Sequence, residues 1–245
     1  MKKTILLLFT LLSSLAWAAA PDPAAILKAI DANMTSSSSK SVTRMVIKGK
    51  RATRTVESVN YAQGTDKYFT EYTAPPRDKG TKMLKVGDNL WIYNPGTDRT
   101  VQISGNMLKQ SVMGSDLSYE DFMEESSLTD SYSANVTGDF SYDGRDCWEL
   151  TLTAKKTDLA YHTRKIYVDK ERNVVLYEYL YAKSGKLLKS IAVTDVQRSG
   201  NRWYPRTIIF KDELKDGKGT EYHIDSIQFD IAIPASRFTK AMLKK

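Results

Sequence analysis

The chain has 245 residues, with 36 Lys and Arg against 29 Asp and Glu, which gives a formal net charge of +7. Hydrophobic residues make up 41% and charged residues 27% of the sequence, a globular composition that excludes a disordered or fibrous chain. A single cysteine excludes a disulfide scaffold and a multi-cysteine metal site, and with two histidines we expect neither a metal nor another cofactor.

The amino terminus has the pattern of an export signal. Two lysines follow the first methionine, residues 5–12 form an apolar run, and Ala16-Trp17-Ala18 supplies the small residues that a signal peptidase reads. We therefore expect residues 1–18 to be a signal peptide, cleaved after Ala18, and the product to be periplasmic. The alternative is an uncleaved anchor helix, for which the uncharged stretch is only marginally long.

A short helix is the first predicted element after the signal. Asp22 is a suitable N-cap and Pro23 suits the first helical position. Residues 23–34 place four apolar side chains on one face: Ile26, Leu27, Ile30 and Met34. A polar stretch at residues 36–39 then leads into the remainder of the chain.

Strand signals dominate that remainder. Apolar and polar residues alternate, as at Trp148, Leu150 and Leu152, and turn-forming pairs such as Asp143-Gly144 separate the runs. We predict strands at 41–50, 53–63, 66–74, 81–87, 89–94, 99–104, 131–140, 145–154, 161–170, 173–182, 186–198, 202–211 and 219–230. So many consecutive hairpins indicate a mainly β fold, one wide antiparallel sheet curled into an open barrel or half-barrel. Because no composition break or repeat divides residues 19–245, we expect one domain.

One segment, residues 104–128, lacks the period-two pattern. Ser118 with Asp121 resembles the start of a short helix there, and a second short helix is predicted at residues 234–245. Strands such as residues 90–93 are apolar on both faces, so the sheet needs a covering layer, and little helix is available to supply it. The irregular segment is therefore either a flap over a lipid-binding concave face or a part of a sealed core.

A lipid-binding cavity is predicted where this flap meets the sheet. Methionine suits such a flap because its flexible, polarizable side chain packs around chains of varying length. The flap residues expected to contact lipid are Met107, Leu108, Met113, Phe122 and Met123. The sheet residues expected there are Met83, Trp91, Ile92 and Trp148. Because their strand is apolar on both faces, the pattern leaves open whether Trp91 or Ile92 points inward.

Motifs for catalysis are absent from the sequence. It contains no glycine-rich phosphate loop, no nucleophile elbow and no cluster of metal ligands. Cys147, His162 and His223 in principle permit a thiol–imidazole pair, but each lies on a predicted strand among ordinary neighbours. We therefore expect no catalytic residue and no enzymatic activity.

A run of basic residues between Lys40 and Arg54 contains no acid. Arg44, Lys48 and Arg51 are candidates for contact with an acidic partner protein or with anionic lipid headgroups. The alternative is a charged edge strand that prevents association between sheets. Because an exported protein seldom meets nucleic acid, we expect no nucleic-acid partner.

Four runs of sequence carry a family resemblance. They are PPRDKGTKMLKVGDNLWIYNPGTDRT (75–100), MGSDLSYEDF (113–122), KIYVDKERNVVLYEYLYAKSGKLLK (165–189) and RWYPRTIIFKDELKDGKGTEYHIDSIQFD (202–230). Together they resemble the bacterial family of outer membrane lipoprotein-sorting proteins, within the LolA/LolB-like superfamily. The resemblance implies an open β-barrel of about eleven strands whose hydrophobic concave face is lidded by helices.

The resemblance also implies a function. Relatives carry the acyl chains of lipoproteins across the periplasm or sense lipid-linked signals there. The implied role is a non-catalytic, monomeric carrier that transfers an acylated lipoprotein or another lipid between the inner and outer membranes. Its partners would be an inner-membrane transporter of the resistance–nodulation–division (RND) or ABC type and an outer-membrane acceptor. The alternative is an accessory or sensor protein of an RND exporter, which binds lipid or a partner protein for regulation.

Overall fold

Thirteen antiparallel strands form one sheet in the computed structural model, which describes residues 21–49, 52–124 and 127–245. The strands are β1 (Ser38–Lys48), β2 (Thr53–Gln63), β3 (Lys67–Ala74), β4 (Lys82–Val86), β5 (Asn89–Asn94), β6 (Arg99–Ile103), β7 (Tyr132–Tyr142), β8 (Arg145–Ala154), β9 (Thr163–Asp169), β10 (Val175–Tyr181), β11 (Leu187–Ser199), β12 (Arg202–Asp212) and β13 (Thr220–Phe229). The predicted mainly β, open, curled sheet is confirmed. Each of the strands predicted from the alternation is present. The sheet therefore has two strands more than the number of about eleven that the resemblance implies.

The order of the strands explains where the irregular segment lies. Across the sheet it is β6-β5-β4-β3-β2-β1-β13-β12-β11-β10-β9-β8-β7, so the two edge strands, β6 and β7, are consecutive in the chain. The connection from Ile103 to Tyr132 must therefore cross from one edge of the sheet to the other. We call residues 105–124 of this connection the lid segment.

The basic run lies mainly on β1, which is an internal strand. β1 pairs with β2 on one side and with β13 on the other, where Ser39 lies opposite Phe229. The edge-strand explanation of the basic run is therefore wrong. Its physical premise, an unpaired row of backbone groups, is absent because both sides of β1 are hydrogen-bonded.

Among the described residues, three short α-helices accompany the sheet: α1 (Pro23–Met34), α2 (Tyr119–Met123) and α3 (Leu128–Ser131). The side chain of Asp22 caps α1 by accepting a hydrogen bond from the backbone N–H of Ala24 at 3.0 Å. The carboxyl-terminal helix predicted from sequence is two 3-10 turns, Ala235–Phe238 and Lys240–Leu243, separated by the extended backbone of Thr239. None of the helices in the described ranges combines the length and the apolarity that a membrane crossing needs.

Side-chain alternation gives the sheet two faces with different covers. The inner face carries α1 and α2: Ile166 of β9 packs in the α1 cluster, and Arg164, on the same side of β9, contacts the residue that ends α2. On the outer face, Phe69 and Leu84 pack against the two carboxyl-terminal 3-10 turns. The lid segment and α1 thus share one face, and the carboxyl terminus covers the other.

Candidate functional site

The lid segment folds largely on itself. The backbone N–H of Val112 donates to the carbonyl of Leu117 at 2.8 Å, and that of Tyr119 donates to Gln110 at 3.1 Å. Between them the chain reverses at Met113 and Gly114, which both have positive φ, 51° and 68°. A glycine suits the second of these positions because it has no Cβ to oppose that backbone conformation. The segment is therefore a compact unit whose contacts with the sheet are made mostly by side chains.

Beneath the lid segment, the inner face of β4 to β6 is apolar apart from the buried Lys85, which donates a hydrogen bond to the carbonyl of Met123 at 3.4 Å. Met83 and Leu90 are 1% and 0% exposed, and Ile103 lies beside them. Ile92 completes this surface, and the lid residues packed on it are Met107, Leu108, Tyr119, Phe122 and Met123. These lid residues are half-buried, and the sheet residues beneath them are buried except for the half-buried Ile92.

A second apolar cluster continues this surface across the middle of the sheet. Its buried sheet residues are Met45, Ile47, Val56 and Tyr72, and the lid segment adds Val112, Met113 and Leu117. Phe122 packs in both clusters, and its ring centroid lies 6.0 Å from that of Tyr68. Tyr119 packs in both clusters as well, so these two aromatic side chains join the two halves of the lid segment's apolar contact.

Most of the predicted cavity residues meet here, but the two tryptophans do not. Trp91 lies opposite Leu84 across the β4–β5 pair, on the outer face, where Lys240 stands 4.2 Å from the centroid of its ring. Ile92, its neighbour, points inward. Trp148 packs in the α1 cluster with Leu150, away from the clusters of the lid segment. The expectation that Trp91 and Trp148 lie beneath the lid is corrected, in the first case because a strand alternates its faces.

The basic residues predicted to contact a partner are paired with acids of β13. Arg44 bridges to Asp225 at 3.0 Å, and Lys48 forms an ion pair with Glu221, whose pKa its hydrogen bond lowers. Arg51 lies outside the described residues. These ion pairs reduce the net positive charge that β1 presents to a partner. Contact of Arg44 and Lys48 with a partner stays a prediction.

Two acids at the end of α2 connect the lid segment to the far half of the sheet. Asp121 accepts hydrogen bonds from Lys189 of β11 and from the hydroxyl of Tyr161, the latter at 2.5 Å. Glu124 accepts from Arg164 of β9 and from the hydroxyl of Tyr132 at 3.1 Å. We call these two ion pairs, Asp121–Lys189 and Glu124–Arg164, the ionic latch. They hold the lid closed by charge-assisted hydrogen bonds.

The arginine of the ionic latch is shared with a buried carboxylate. The side chain of Arg164 is 12% exposed, and its Nη1 lies 3.4 Å from Oε1 of Glu178 on β10. Burial raises the pKa of Glu124 and of Glu178, and it outweighs the attraction of Arg164 for both carboxylates. The same two carboxylates raise the pKa of Arg164, so its charge is stabilised while the two acids bear the penalty of burial.

Three further hydrogen bonds fasten the middle of the lid segment. The carboxylate of Asp116 accepts from the hydroxyl of Thr220 at 2.7 Å and from the backbone N–H of Asp212 at 3.0 Å. The guanidinium of Arg54 donates to the carbonyl of Met113. These contacts, like the ionic latch, lie around the apolar clusters and use side chains that a small displacement would release.

A cleft of about 450 Å³ opens beside the ionic latch. Its walls combine Lys189 and Tyr161 with the apolar side chains of Leu159, Leu188 and Leu214. Such a cleft leads from solvent to the edge of the lid segment.

The sequence predicts part of this site and misses the rest. The apolar flap and the helix start at Ser118 are visible in the sequence, and Asp121 accepts from the backbone N–H of Ser118 at 2.6 Å as that start requires. The ionic latch was missed, because its partners are far apart in the chain. One sequence signal for the ionic latch existed. Glu178 lies between Leu176 and Leu180 on the apolar face of its strand, which indicates a buried charge.

Comparison with solved structures identifies the fold. A domain assigned as an outer membrane lipoprotein-sorting protein from Vibrio parahaemolyticus is similar at a TM-score of 0.80 and 22% identity, over 91% of this chain and 98% of that one. A DUF1329 family protein from Desulfovibrio piger gives 0.82 and 24%, over 90% and 97%. A LolA superfamily protein from Nitrosomonas europaea gives 0.72 and 21%, over 89% and 97%.

Sequence comparison adds the family. No curated protein matches the chain. A family model with the description "Uncharacterized protein" matches residues 64–245, which is most of the chain. The chain therefore belongs to this family, and its fold is that of the LolA superfamily and of outer membrane lipoprotein-sorting domains.

Proposed function

We propose that the protein is a periplasmic carrier that holds the acyl chains of a lipoprotein or another lipid between the inner face of its sheet and the lid segment. Its role would be transfer between the inner and outer membranes by binding and release, without catalysis. The fold shared with lipoprotein-sorting domains supports this proposal, as does the export pattern of residues 1–18.

One observation carries the proposal: a lid segment with mostly half-buried side chains lies on an apolar sheet face whose side chains are mostly buried. When the lid segment moves away, side chains such as Met83, Leu90 and Val56 become available to an acyl chain. Each methylene that an acyl chain buries contributes about 0.8 kcal/mol. The lid side chains that the acyl chain displaces lose a comparable hydrophobic free energy. The exchange is therefore close to balanced, as reversible loading and release require.

The remaining parts of the proposal concern context. We propose cleavage after Ala18, a single domain over residues 19–245, and a monomer in the periplasm. The proposed partners are an inner-membrane RND or ABC transporter and an outer-membrane acceptor. Arg44 and Lys48 stay candidates for the partner contact only if a partner competes with Asp225 and Glu221 for them.

Mass spectrometry of solvent extracts from the purified protein tests the proposal. A carrier should contain lipid at a stoichiometric level, and lipid-free protein should extract lipid from vesicles. A protein that is empty, that extracts nothing and that copurifies with an inner-membrane exporter would instead support the accessory or sensor role. Fractionation of cells, with amino-terminal sequencing of the product, tests the export.

A further inference from the structure

The ionic latch brings two cations of the sheet to one place on the inner face. Arg164 of β9 and Lys189 of β11 both lie opposite Leu180 of β10, one on each side. Their backbones are therefore two strand spacings apart, about 10 Å, and their long side chains point to the same side of the sheet. Arg164 also lies 4.8 Å from the ring centroid of Tyr132 and 5.8 Å from that of Tyr161.

The charges of this cluster are unbalanced in the closed state. Three carboxylates, those of Asp121, Glu124 and Glu178, face the two cations. If the lid segment leaves, it removes Asp121 and Glu124, and two cations then face Glu178 alone. The open cluster carries one excess positive charge, and the hydroxyl groups of Tyr132 and Tyr161 lose the acceptors that they have on the lid.

This cluster also contains one unused hydrogen-bond donor. Nε of Arg164 is buried and has no hydrogen-bond partner in the part of the chain that the structure describes. A buried donor without an acceptor is costly, and an additional acceptor at this place would be favourable. The cleft of about 450 Å³ reaches Lys189 and Tyr161, so it connects the cluster with solvent. Its walls combine the apolar side chains of Leu159 and Leu188 with charged ones, among them Glu120 and Lys215.

We propose that Arg164 and Lys189 form a binding site for the anionic headgroup of the lipid cargo, and that Asp121 and Glu124 of the lid occupy this site in the closed state. The excess of one positive charge fits a monoanionic group, a phosphodiester or a carboxylate. In the closed state, the carboxylates of the lid occupy the place of the headgroup, and the apolar lid residues occupy the place of the acyl chains. Cargo opens the lid by replacing both at once. This inference rests on the proposed carrier function.

A lipid-extraction assay tests the site. The purified protein is incubated with vesicles made of equal parts of dioleoylphosphatidylglycerol and dioleoylphosphatidylcholine, which have the same chains and differ in headgroup charge. After the vesicles are removed, mass spectrometry measures the ratio of the two lipids on the protein. We expect phosphatidylglycerol to be enriched about tenfold, the effect of one charge-assisted contact in a partly buried site.

Variants of the ionic latch should change this ratio in opposite directions. Lys189→Gln should remove most of the enrichment. Asp121→Asn, which keeps an oxygen for the helix cap while freeing Lys189, should increase phosphatidylglycerol capture about fivefold. Lys189→Gln alone leaves Asp121 without its cation and could misfold. The double variant Lys189→Gln, Asp121→Asn leaves neither charge unpaired and should also lack the enrichment. Arg206→Gln, which breaks the exposed pair with Asp195, is the matched control and should leave the ratio unchanged.

The outcomes separate the two proposals. Capture of both lipids in equal amounts, unaffected by Lys189→Gln and Asp121→Asn, would overturn the headgroup site while the carrier stands. Capture of neither lipid would overturn the carrier. Calorimetric titration of inorganic phosphate distinguishes a soluble anion from a headgroup. Phosphate binding that depends on Lys189, in a protein that captures no lipid, would assign the cations to a soluble anion and overturn the lipid assignment.

Discussion

Asp169 is a fully buried carboxylate at the end of β9. It accepts hydrogen bonds from Nε of Arg145 at 2.8 Å and from the backbone N–H groups of Glu171 and Arg172 at 2.9 and 3.0 Å. Burial alone raises the pKa of Asp169, but these hydrogen bonds outweigh it, so the pKa lies below its ordinary value. The ionised form therefore stabilises the turn between β9 and β10.

Asp169→Asn is expected to lower the free energy of unfolding at neutral pH by about 2–3 kcal/mol, because it removes the charge-assisted hydrogen bonds. In the parent protein, the contribution of Asp169 is complete above its ordinary pKa of 3.8 and is lost as pH falls through the lower pKa of the folded state. Denaturant unfolding over a series of acid pH values measures both effects. Asp139→Asn removes an exposed carboxylate paired with Lys170 and should change stability by less than about 0.5 kcal/mol. Indistinguishable behaviour of the two variants would contradict this account.

Cys147 is a second residue whose behaviour follows from its burial. It is 0% exposed on β8, and burial raises the pKa of its thiol. We expect the native protein to resist maleimide and to react only as fast as β8 unfolds, because the reactive thiolate is both rare and covered. Mass spectrometry over time measures this. A Cys147→Ser, Ser226→Cys variant, with its thiol on an exposed position of β13, should react quickly, and equally fast labelling of Cys147 would show that the strand opens readily.

At the scale of elements, the lid segment differs from the cover on the outer face. Phe122 of the lid is half-buried between two clusters, whereas Phe69 of β3 is 0% exposed beneath the carboxyl-terminal turns. Replacing each of these phenylalanines with alanine therefore distinguishes a removable cover from a sealed core.

Phe122→Ala should cost about 1–2 kcal/mol of stability because only part of the ring leaves an apolar environment. It should also weaken lipid capture, because in the loaded state the ring of Phe122 covers the bound acyl chains and alanine buries less of them. Phe69→Ala should cost about 3–5 kcal/mol through the cavity it leaves and should leave lipid capture by the remaining folded protein unchanged. Thermal melts beside the extraction assay measure both quantities. A loss of 3–5 kcal/mol at Phe122 without any lipid capture by the parent protein would favour the sealed core.

The elements could be predicted from sequence to the extent that their signals are local. Alternation and turn residues predict each strand, and the capping pattern at Ser118 predicts α2, because neighbours in the chain cause both. The face on which Trp91 lies could not be predicted, since its strand is apolar on both sides and only the pairing with β4 orients it. The ionic latch depends on contacts between α2 and two distant strands, for which the sequence has no periodic signal.

At the scale of the whole molecule, the sheet and the lid segment should differ in how often they open. Hydrogen bonds with neighbouring strands on both sides hold β1 and β13. The backbone of the lid segment bonds mainly to itself, as between Val112 and Leu117. Regions with few contacts to the core open locally at lower free energy than the whole protein does.

Hydrogen exchange followed by mass spectrometry should therefore show residues 105–124 exchanging before β1, β2 and β13. Asp121→Asn should accelerate exchange in the lid peptides and leave the strand peptides unchanged, because it weakens one side of the ionic latch alone. Arg206→Gln again serves as the control. Exchange of the lid peptides only together with the strands would mean that the lid does not open independently.

The pairing of β1 with β13 also determines how the chain can reach its structure. Strands β1 to β6 and strands β7 to β13 are two runs of hairpins, and each run can form from contacts between neighbours in sequence. Within the sheet, the two runs join along the pairing of β1 with β13, from Ser39 opposite Phe229 to Ile47 opposite Thr220. Loop closure over such a separation is slow compared with hairpin formation. We therefore expect the pairing of β13 with β1 to form later than the hairpins within each run, and the two halves of the inner face to come together only with it.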